Sequence, residues 1–311
     1  MDHRKIQTTG NKTFIVSLPK EWANRNSVKR GDFIGVLDRG DKLLLMLEDA
    51  KGKGVEIPID KNADSEFVKR LLITRYIQGY STVIITSKTR ITSNLRSRLK
   101  DLTKSLIGLE PFGEGSNEMT FQMLMKEQGD ILDLISRMHD MSVSTIEEII
   151  KEVGKGKNYD KDTLDEIILR ESEIDKFYFL ILRQLSSYSE HNVIPLLRIV
   201  DRIEIISDHM EEIAQFMLDG GNVSTEFVPI LNETLELYCD TMLSLRSGNT
   251  KMANEVIENV RKLRGKGIDV TDKKTLNITD KKALSQTLIY NNLRHTIRHL
   301  SGMAKSVINL F

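Results

Sequence analysis

The sequence predicts a multidomain chain, with a small β-rich domain at residues 1–48, an α+β middle domain at 51–126 and an all-α region at 129–311. The first stretch alternates short apolar runs with turn residues, and the second alternates strand-like runs with amphipathic helices. From Gly129 onward, apolar residues recur at helical spacing almost without interruption. With 311 residues, the chain is long enough for two or three domains of ordinary size.

The β-rich domain is predicted from four short strand-like runs and one helical turn. The strands are RKIQTT, TFIVSL, FIGVL and KLLLML, and Pro19 opens the short helix PKEWANRN, since proline fits the first turn of a helix. A domain of this size buries little surface. We therefore expect it to dimerise or to pack on a neighbour, with Trp22 anchoring the short helix in the dimer core.

In the middle domain, VEIPI and STVIITS are strand-like, and each is followed by an amphipathic helix, DSEFVKRLLITRYIQGY and ITSNLRSRLKDLTKSL. LIGLEPF and MTFQMLM are two further strands. Gly113 and Gly115 predict a hairpin turn rather than a nucleotide cradle, because no helix follows them. The second helix carries Arg96, Lys100 and Lys104 in one row, which is either a solvated basic face or an auxiliary contact to a phosphate backbone.

Helices are predicted in the all-α region at 130–153, 160–188, 191–218, 225–247, 250–264 and 280–310, and their short connections favour antiparallel bundles. A shift of the chain by 90 residues aligns seven apolar positions and one histidine in helical register. The apolar positions are Ile199, Ile203, Met210, Ile213, Ala214, Met217 and Leu218 with Ile289, Leu293, Leu300, Met303, Ala304, Val307 and Ile308, and His209 aligns with His299. The region is therefore predicted to hold tandem three-helix bundles, 129–220 and 224–311.

The formal net charge of zero hides an asymmetry along the chain. Residues 1–47 carry a net charge of +4 and residues 51–105 carry +7, whereas residues 106–311 carry −9. This distribution favours a polyanionic partner for the front of the chain and cations for the back.

Composition excludes several function classes. No run approaches the ~18 uninterrupted apolar residues of a membrane span, and the first residues lack the apolar core of a signal peptide, so the protein is not expected to be membrane-embedded. Cys239 is the only cysteine, which excludes a disulfide framework and a thiolate metal site and fits a reducing, cytoplasmic compartment. No Ser/His/Asp or Cys/His arrangement has a supporting context, so no enzymatic activity is predicted.

Two pairs of carboxylates have the same spacing on neighbouring predicted helices. Glu171 and Asp175 lie four residues apart on an otherwise apolar face. Glu204 and Asp208 repeat this spacing at the edge of the apolar face of the next helix. Carboxylates in an apolar stripe are costly unless they are paired or coordinate a metal. Four of them together suit a hard cation such as Mg²⁺, Mn²⁺ or Fe³⁺.

An arrangement without metal stays open at this point. In it, the second pair is solvated and the first pair forms ion pairs with neighbouring arginines, which are Arg170, Arg183 and Arg202. The remaining acids of the second helix are predicted to form a solvated rim, and they are Asp201, Glu211 and Glu212. In the second three-helix unit, Arg294 and Arg298 stand 90 residues after the second pair, so no cation site is expected there.

The pattern ESEID…DRIEIISDHMEEIA, inside a duplicated three-helix region, resembles the PhoU family of phosphate-uptake regulators over residues 129–311. Members carry an E/D-x-x-x-D motif on each of two helices per repeat and bind multinuclear metal clusters there. The resemblance implies one metal cluster at most, held by Glu171, Asp175, Glu204 and Asp208. It also implies a phosphate transporter or its sensor as a partner.

The stretch RKIQTTGNKTFIVSLPKEWANRNSVKRGDFIGVLDRGDKLLLM resembles the AbrB/SpoVT/MazE domain, in particular its archaeal form with VSLPKEW. The resemblance implies a swapped-hairpin fold, in which two chains interleave their hairpins, and a basic DNA-binding surface on the resulting homodimer. Arg4 and Lys5 match the leading basic pair of that family, and Lys12 lies in the loop that holds its next basic residue.

Physical reasoning on the same residues also favours DNA. Lysine and arginine contacts to phosphate supply most non-specific affinity, and polar side chains read base edges. The polar candidates are Gln7, Asn11 and Thr13. Ala23 and Asn24 replace the paired arginines of the family, with Arg25 nearby, so a dimerisation module without DNA binding is the alternative.

The sequence therefore predicts a cytoplasmic, phosphate-responsive transcriptional regulator that acts negatively on phosphate uptake. It would bind DNA through its N-terminal dimer and sense its signal through the helical bundle. The alternative is an adaptor that inhibits a phosphate transporter or sensor without binding DNA. A carboxylate–metal hydrolase is disfavoured, because no general acid or nucleophile accompanies the acids.

Overall fold

The computed structural model describes residues 4–10, 13–38, 43–47, 54–125, 129–188, 192–221, 223–265 and 281–311. Contacts divide the chain into two compact units, Met1–Gly52 and Lys53–Phe311. The first unit corresponds to the predicted β-rich domain. The predicted middle and helical regions lie together in the second unit, and the division between them at residues 126–129 stays a prediction.

The N-terminal unit contains two hairpins and one short helix. Strand β1 (Gln7–Thr9) pairs with β2 (Thr13–Ile15), and β3 (Ile34–Asp38) pairs with β4 (Leu43–Leu47), both antiparallel. Helix α1 (Lys20–Arg25) lies between the hairpins in the chain. The predicted strands and helix are confirmed, although β1 is shorter than the run RKIQTT that predicted it.

The N-terminal unit has no hydrophobic core of its own among its described side chains. Its described strands form two separate two-stranded sheets, and none of its described side chains is buried. Several large apolar side chains are more than half exposed, and they are Ile6, Phe14, Phe33, Val36 and Leu43. Exposed apolar side chains are what the surface of a partner would cover. The expectation that this domain dimerises or packs on a neighbour stays a prediction.

The second unit begins with a sheet of four described strands packed with two helices. The elements in chain order are β5 (Gly54–Ile59), α2 (Ser65–Ile77), β6 (Thr82–Ser87), α3 (Ser93–Thr103), β7 (Leu109–Glu114) and β8 (Glu118–Met123). The strand order is β5-β6-β8-β7, with β5 and β6 parallel and the other neighbours antiparallel. Asp64 and Thr92 cap α2 and α3 by accepting hydrogen bonds from backbone N–H groups. The predicted element order and the hairpin turn are confirmed.

The basic row of α3 is neutralised within the unit. Arg96 and Lys100 both pair with Glu114, at 2.9 and 2.6 Å. Lys104 pairs with Asp101 at 2.7 Å. Arg96 also donates to backbone carbonyls of the β7–β8 hairpin, which are those of Gly115 and Ser116. The row is therefore occupied by contacts within the fold, which leaves less positive charge for a phosphate backbone.

The rest of the second unit is helical, as predicted. The helices are α4 (Ile131–Gly154), α5 (Lys161–Ser187), α6 (Val193–Leu218), α7 (Val228–Ser247), α8 (Thr250–Gly265) and α9 (Lys281–Ile308). Helices α4, α5 and α6 pack against one another, and so do α7, α8 and α9. The two triplets meet through α6 with α9 and through α4 with α7. Over the described ranges, no helix combines the length and apolarity needed to cross a membrane.

Positions related by the shift of 90 residues have matching burial. In the first triplet, six of the seven aligned apolar residues are buried, and Leu218 is half-buried. Their counterparts in the second triplet behave in the same way, with Ile308 half-buried. Each set faces the common core of the bundle. The aligned pattern therefore has the same structural cause in both triplets, namely the apolar stripe of a core helix.

Arg183 joins the helical bundle to the sheet. Its guanidinium donates from Nη1 to the carbonyl oxygens of Tyr76 and Tyr80, at 2.5 and 3.0 Å, and from Nη2 to that of Gly79 at 3.2 Å. The same group lies 5.0 Å from the centroid of the Tyr76 ring. These carbonyls lie in the last turn of α2 and just beyond it, where helix carbonyls lack i+4 partners. The Tyr76 carbonyl also accepts from the Gly79 N–H. Arg183 on α5 therefore binds the C-terminal end of α2.

Candidate functional site

Helices α5 and α6 bring together the four predicted carboxylates, which we call the acidic cluster: Glu171, Asp175, Glu204 and Asp208. The spacing of four residues places each pair on one helix face, and the two helices pack along each other. Asp208 is the common neighbour, because its charge raises the pKa of each of the other three carboxyls. The four carboxyls are therefore close enough to affect one another's ionisation, whereas their convergence on a single ion stays a prediction.

Glu171 is the most deeply buried member of the acidic cluster. Its side chain is 9% exposed, and its Oε1 atom is buried without a hydrogen-bond partner. Burial raises the pKa of Glu171 to about 8, and the charges of Asp208 and Asp175 act in the same direction. The neighbouring Ser207 hydroxyl offsets part of this effect. A buried carboxylate oxygen without a partner is a position that a bound cation would satisfy.

The other members of the acidic cluster are also perturbed. Burial raises the pKa of Glu204 to about 7, with additional repulsion from Asp208, Asp175 and Asp201. The pKa of Asp175 is raised by burial and then by Asp208. Burial likewise raises the pKa of Asp208. Since no positive charge among the described residues lowers the pKa of Glu204 or Asp175, the cluster is a site of uncompensated negative potential.

The predicted alternative, in which nearby arginines form ion pairs with Glu171 and Asp175, is wrong. Arg170 forms a bidentate ion pair with Glu148, in which both N···O distances are 3.0 Å. Arg183 donates to the carbonyl of Tyr76 at the C-terminal end of α2, and Arg202 donates to the carbonyl of Arg198 at 2.7 Å. In the described part of the chain, no ion pair includes a member of the acidic cluster. The reason is geometric: the three arginines project from other faces of their helices.

The predicted solvated rim is wrong in part. The Tyr178 hydroxyl donates to Asp201 at 3.1 Å, and Asn292 Nδ2 donates to Glu212 at 2.8 Å. The pKa of Glu211 is raised by burial and by the charges of Asp208 and Asp175, so Glu211 lies beside the acidic cluster. Glu211 follows Asp208 by three residues and Glu204 by seven. This spacing on one helix face is the signal that could have identified it.

The donor set of the acidic cluster fits a hard cation in its chemistry. All four groups offer carboxylate oxygens, which Mg²⁺, Mn²⁺ and Fe³⁺ prefer, and Glu171 Oε1 has no competing partner. As placed, no three His, Cys, Asp or Glu side chains in the described ranges are close enough together to hold a metal ion. Carboxylates without a cation between them repel one another. The cluster is therefore suited in composition to a cation, and its role as a metal site stays a prediction.

The predicted DNA-contacting residues lie in the N-terminal unit. The described ones are all exposed, and they are Arg4, Lys5, Gln7, Thr13 and Arg25. Asn11 and Lys12 lie outside the described residues. Because Gln7 pairs with Ile15 and Thr9 pairs with Thr13, Gln7 and Thr13 share one face of the β1–β2 hairpin. Their role in DNA binding stays a prediction.

One protein-family model matches the segment that holds the acidic cluster. No curated protein matches the chain. Among the solved structures similar to it, two have 14% identity each over 58% of this chain. The phosphate transport system regulatory protein PhoU from Streptococcus pneumoniae has a TM-score of 0.49 over 92% of its length. PhoU from Pseudomonas aeruginosa has a TM-score of 0.42 over 95%. Residues 135–217, which contain the whole acidic cluster, match the family model of the PhoU domain.

Proposed function

We propose that the chain is a dimeric, DNA-binding regulator of phosphate uptake that responds to its signal through the acidic cluster. The observation that supports this proposal is a set of four carboxyls on α5 and α6 that raise one another's pKa and have no counter-ion among the described residues, inside the segment that matches the PhoU domain. Uncompensated buried acids lower stability unless they serve a ligand. A cation is the ligand that their chemistry selects.

Glu171, Asp175, Glu204 and Asp208 would hold a Mg²⁺, Mn²⁺ or Fe³⁺ ion or one small cluster of such ions. The metal would supply positive charge that lets the four groups ionise together at neutral pH. Arg294 and Arg298 occupy the corresponding positions of α9, so one site per chain is proposed. Neutralisation of the cluster would bring α5 and α6 closer, and α5 is bonded to α2 through Arg183. Metal binding at the acidic cluster would therefore affect α2, and through it the sheet, by way of α5 and Arg183.

Two features of the N-terminal unit support its assembly with a second copy. Its two hairpins form separate sheets, and its apolar side chains are exposed, with Phe14 at 75% and Phe33 at 79%. A second copy that interleaves its hairpins would pair the strands and cover these side chains. The proposed dimer is therefore the state in which this unit acquires a hydrophobic core.

Substitution of Phe14 and Phe33 by aspartate tests the dimer. We expect the wild-type chain to sediment as a dimer and the F14D/F33D variant to sediment as a monomer, because burial of two charges would cost far more than the apolar contact gains. The matched control is F112D in β7, a phenylalanine that is 70% exposed in the other unit. Sedimentation velocity should find F112D unchanged. A dimeric F14D/F33D variant would contradict the proposed interface.

DNA binding is tested by gel shift of the full chain at several salt concentrations. A regulator that neutralises phosphates should lose affinity as salt rises, and K5Q/R25Q should reduce the slope of log K against log salt by about 1 for each phosphate that the variant no longer neutralises. The control K104Q removes a lysine of α3 that already pairs with Asp101, and it should leave the slope unchanged. The same assay with chelator and with Mn²⁺ tests coupling, since the proposal expects the two affinities to differ.

An adaptor that does not bind DNA is the second candidate. The observation that favours it is the presence of Ala23 and Asn24 in α1, where two arginines would add positive charge. In this case, the N-terminal unit would serve dimerisation alone, and the helical bundle would act on a phosphate transporter or sensor. A dimeric protein without any salt-dependent DNA binding would decide for the adaptor.

A further inference from the structure

A second polar group lies between α6 and α9, which we call the nitrogen cluster: Arg202 and His209 of α6 with His295 and His299 of α9. The ring centroid of His209 lies 6.1 Å from that of His295 and 5.9 Å from that of His299. His295 and His299 are four residues apart and share a helix face. His209 Nδ1 also lies 3.0 Å from Thr296 Oγ1. The three imidazoles thus meet where the two triplets join, and the charge of Arg202 acts on one of them, His299.

The guanidinium of Arg202 packs against α9 at Gly302. Any side chain at Gly302 would collide with the Arg202 guanidinium, so glycine is what allows the group to lie against the helix. Arg202 Nη1 donates to the carbonyl of Arg198 at 2.7 Å, and Nε is buried without a partner. Within the described ranges, no carboxylate forms an ion pair with this guanidinium. Arg202 is therefore held in place without a bound counter-ion.

The permanent charge beside the nitrogen cluster is positive. Burial lowers the pKa of His299, and the charges of Arg202 and His295 act in the same direction. Among the described residues, no carboxylate raises the pKa of His299. An anion placed here would therefore meet the positive charge of Arg202 and the N–H groups of the imidazoles.

The nearby carboxylates are engaged elsewhere. The negative charge of Asp201 favours the charged form of Arg202, but this carboxylate accepts the hydrogen bond of the Tyr178 hydroxyl. Glu212, which lies about one turn after His209 on α6, accepts a hydrogen bond from Asn292. A metal ion is a poor occupant because the permanent charge of Arg202 repels it, and because no three potential ligands in the described ranges are placed around one point.

We propose that the nitrogen cluster binds a small oxyanion of the phosphate or sulfate type. Arginine and histidine N–H groups donate hydrogen bonds to such oxygens, and the permanent charge of Arg202 strengthens those that its guanidinium donates. The proposed anion site faces α9, whereas the acidic cluster faces α5. Helix α6 would therefore carry the proposed cation site and the proposed anion site on different faces. Because the oxyanion would contact both triplets, its binding would fix how α6 sits on α9.

The test is a titration of the full chain, labelled at the histidine Cε1 carbon, with inorganic phosphate and with sulfate at constant ionic strength kept with chloride. We expect saturable shifts of the His209 and His299 resonances, assigned through the variants H209Q and H299Q. The variant R202Q should bind the oxyanion about tenfold or more weakly, as expected when one charge-assisted hydrogen bond is removed. The matched control R261Q, an exposed arginine of α8 paired with Glu258, should bind as the wild type does.

Thermal unfolding establishes that each variant is folded, and R202K replaces R202Q if the glutamine variant unfolds. Shifts that are linear in phosphate and equal in R202Q and wild type would overturn the proposal. So would resonances that respond to Zn²⁺ and ignore both oxyanions, since the site would then be a cation site. Failure of metal binding at the acidic cluster would leave these outcomes unaffected, because the two sites are probed by different ligands.

Discussion

Substitution of Arg183 by alanine should lower the free energy of unfolding by about 3 kcal/mol. Its guanidinium donates to the carbonyls of Tyr76, Gly79 and Tyr80, which lie in the half-buried junction between α2 and α5. Alanine would remove these charge-assisted hydrogen bonds, and the Tyr76 carbonyl would keep only the bond from the Gly79 N–H. It would also remove the contact of the cation with the Tyr76 ring. Urea unfolding at neutral pH measures the change.

Arg246 offers a matched control for Arg183. It also forms several hydrogen bonds, to Asp140 and Ser136, but the pair with Asp140 is about half exposed on both sides. Exposed ion pairs contribute about 0–1 kcal/mol, so R246A should be nearly neutral. If R183A were no more destabilising than R246A, Arg183 would not be the residue that holds the bundle to the sheet.

Ionisation of the acidic cluster should lower the stability of the metal-free chain as the pH rises from about 4.5 to about 8. The buried His209, whose pKa is lowered to about 4, acts in the opposite direction below about pH 6.5, so the effect of the cluster is the difference between wild type and E171Q. The pKa of Glu171 is raised from its ordinary value of 4.5 to about 8, so the folded chain keeps a proton that the unfolded chain has already lost. Glu204 contributes in the same direction up to about pH 7. At pH 8, E171Q should therefore be more stable than the metal-free wild type by about 3 kcal/mol, because the buried charge is gone.

Urea unfolding of chelator-treated protein at pH 5 and pH 8 measures this effect. The control E236Q changes an exposed glutamate of α7, and it should keep the pH dependence of the wild type. Addition of Mn²⁺ should restore stability to the wild type at pH 8 and leave E171Q little changed. Equal pH dependence of wild type and E171Q without metal would mean that Glu171 is not the buried acid described above.

The sequence predicted most of the secondary structure because its signals are local. Helix α4 begins after Asp130, which caps it, and runs to Gly154 against a predicted span of 130–153. The apolar stripes of α6 and α9 were recognised from their spacing alone. The placement of each carboxylate pair on one helix face was also accessible, since residues four apart on a helix lie on the same side.

Contacts between distant residues were not accessible in this way. Arg183 binds the carbonyl of Tyr76, 107 residues earlier, and nothing in the helix pattern of either segment indicates this pairing. The basic row of α3 was predicted to be a solvated face or a contact to a phosphate backbone, because its partner Glu114 belongs to a strand that is close only in the fold. His209 and His299 were aligned as equivalent positions of a repeat, whereas the fold places them side by side. Such pairs depend on tertiary packing, which local spacing does not encode.

The central claim, that the acidic cluster binds a hard cation, is tested most directly by calorimetric titration of Mn²⁺ into the chelator-treated full chain at pH 7.5. The account predicts saturable binding by the wild type, loss of this binding in E171Q/D208N, and unchanged binding in E236Q. Equal heats and equal stoichiometry for wild type and E171Q/D208N would contradict it, because the metal would then bind somewhere other than between α5 and α6.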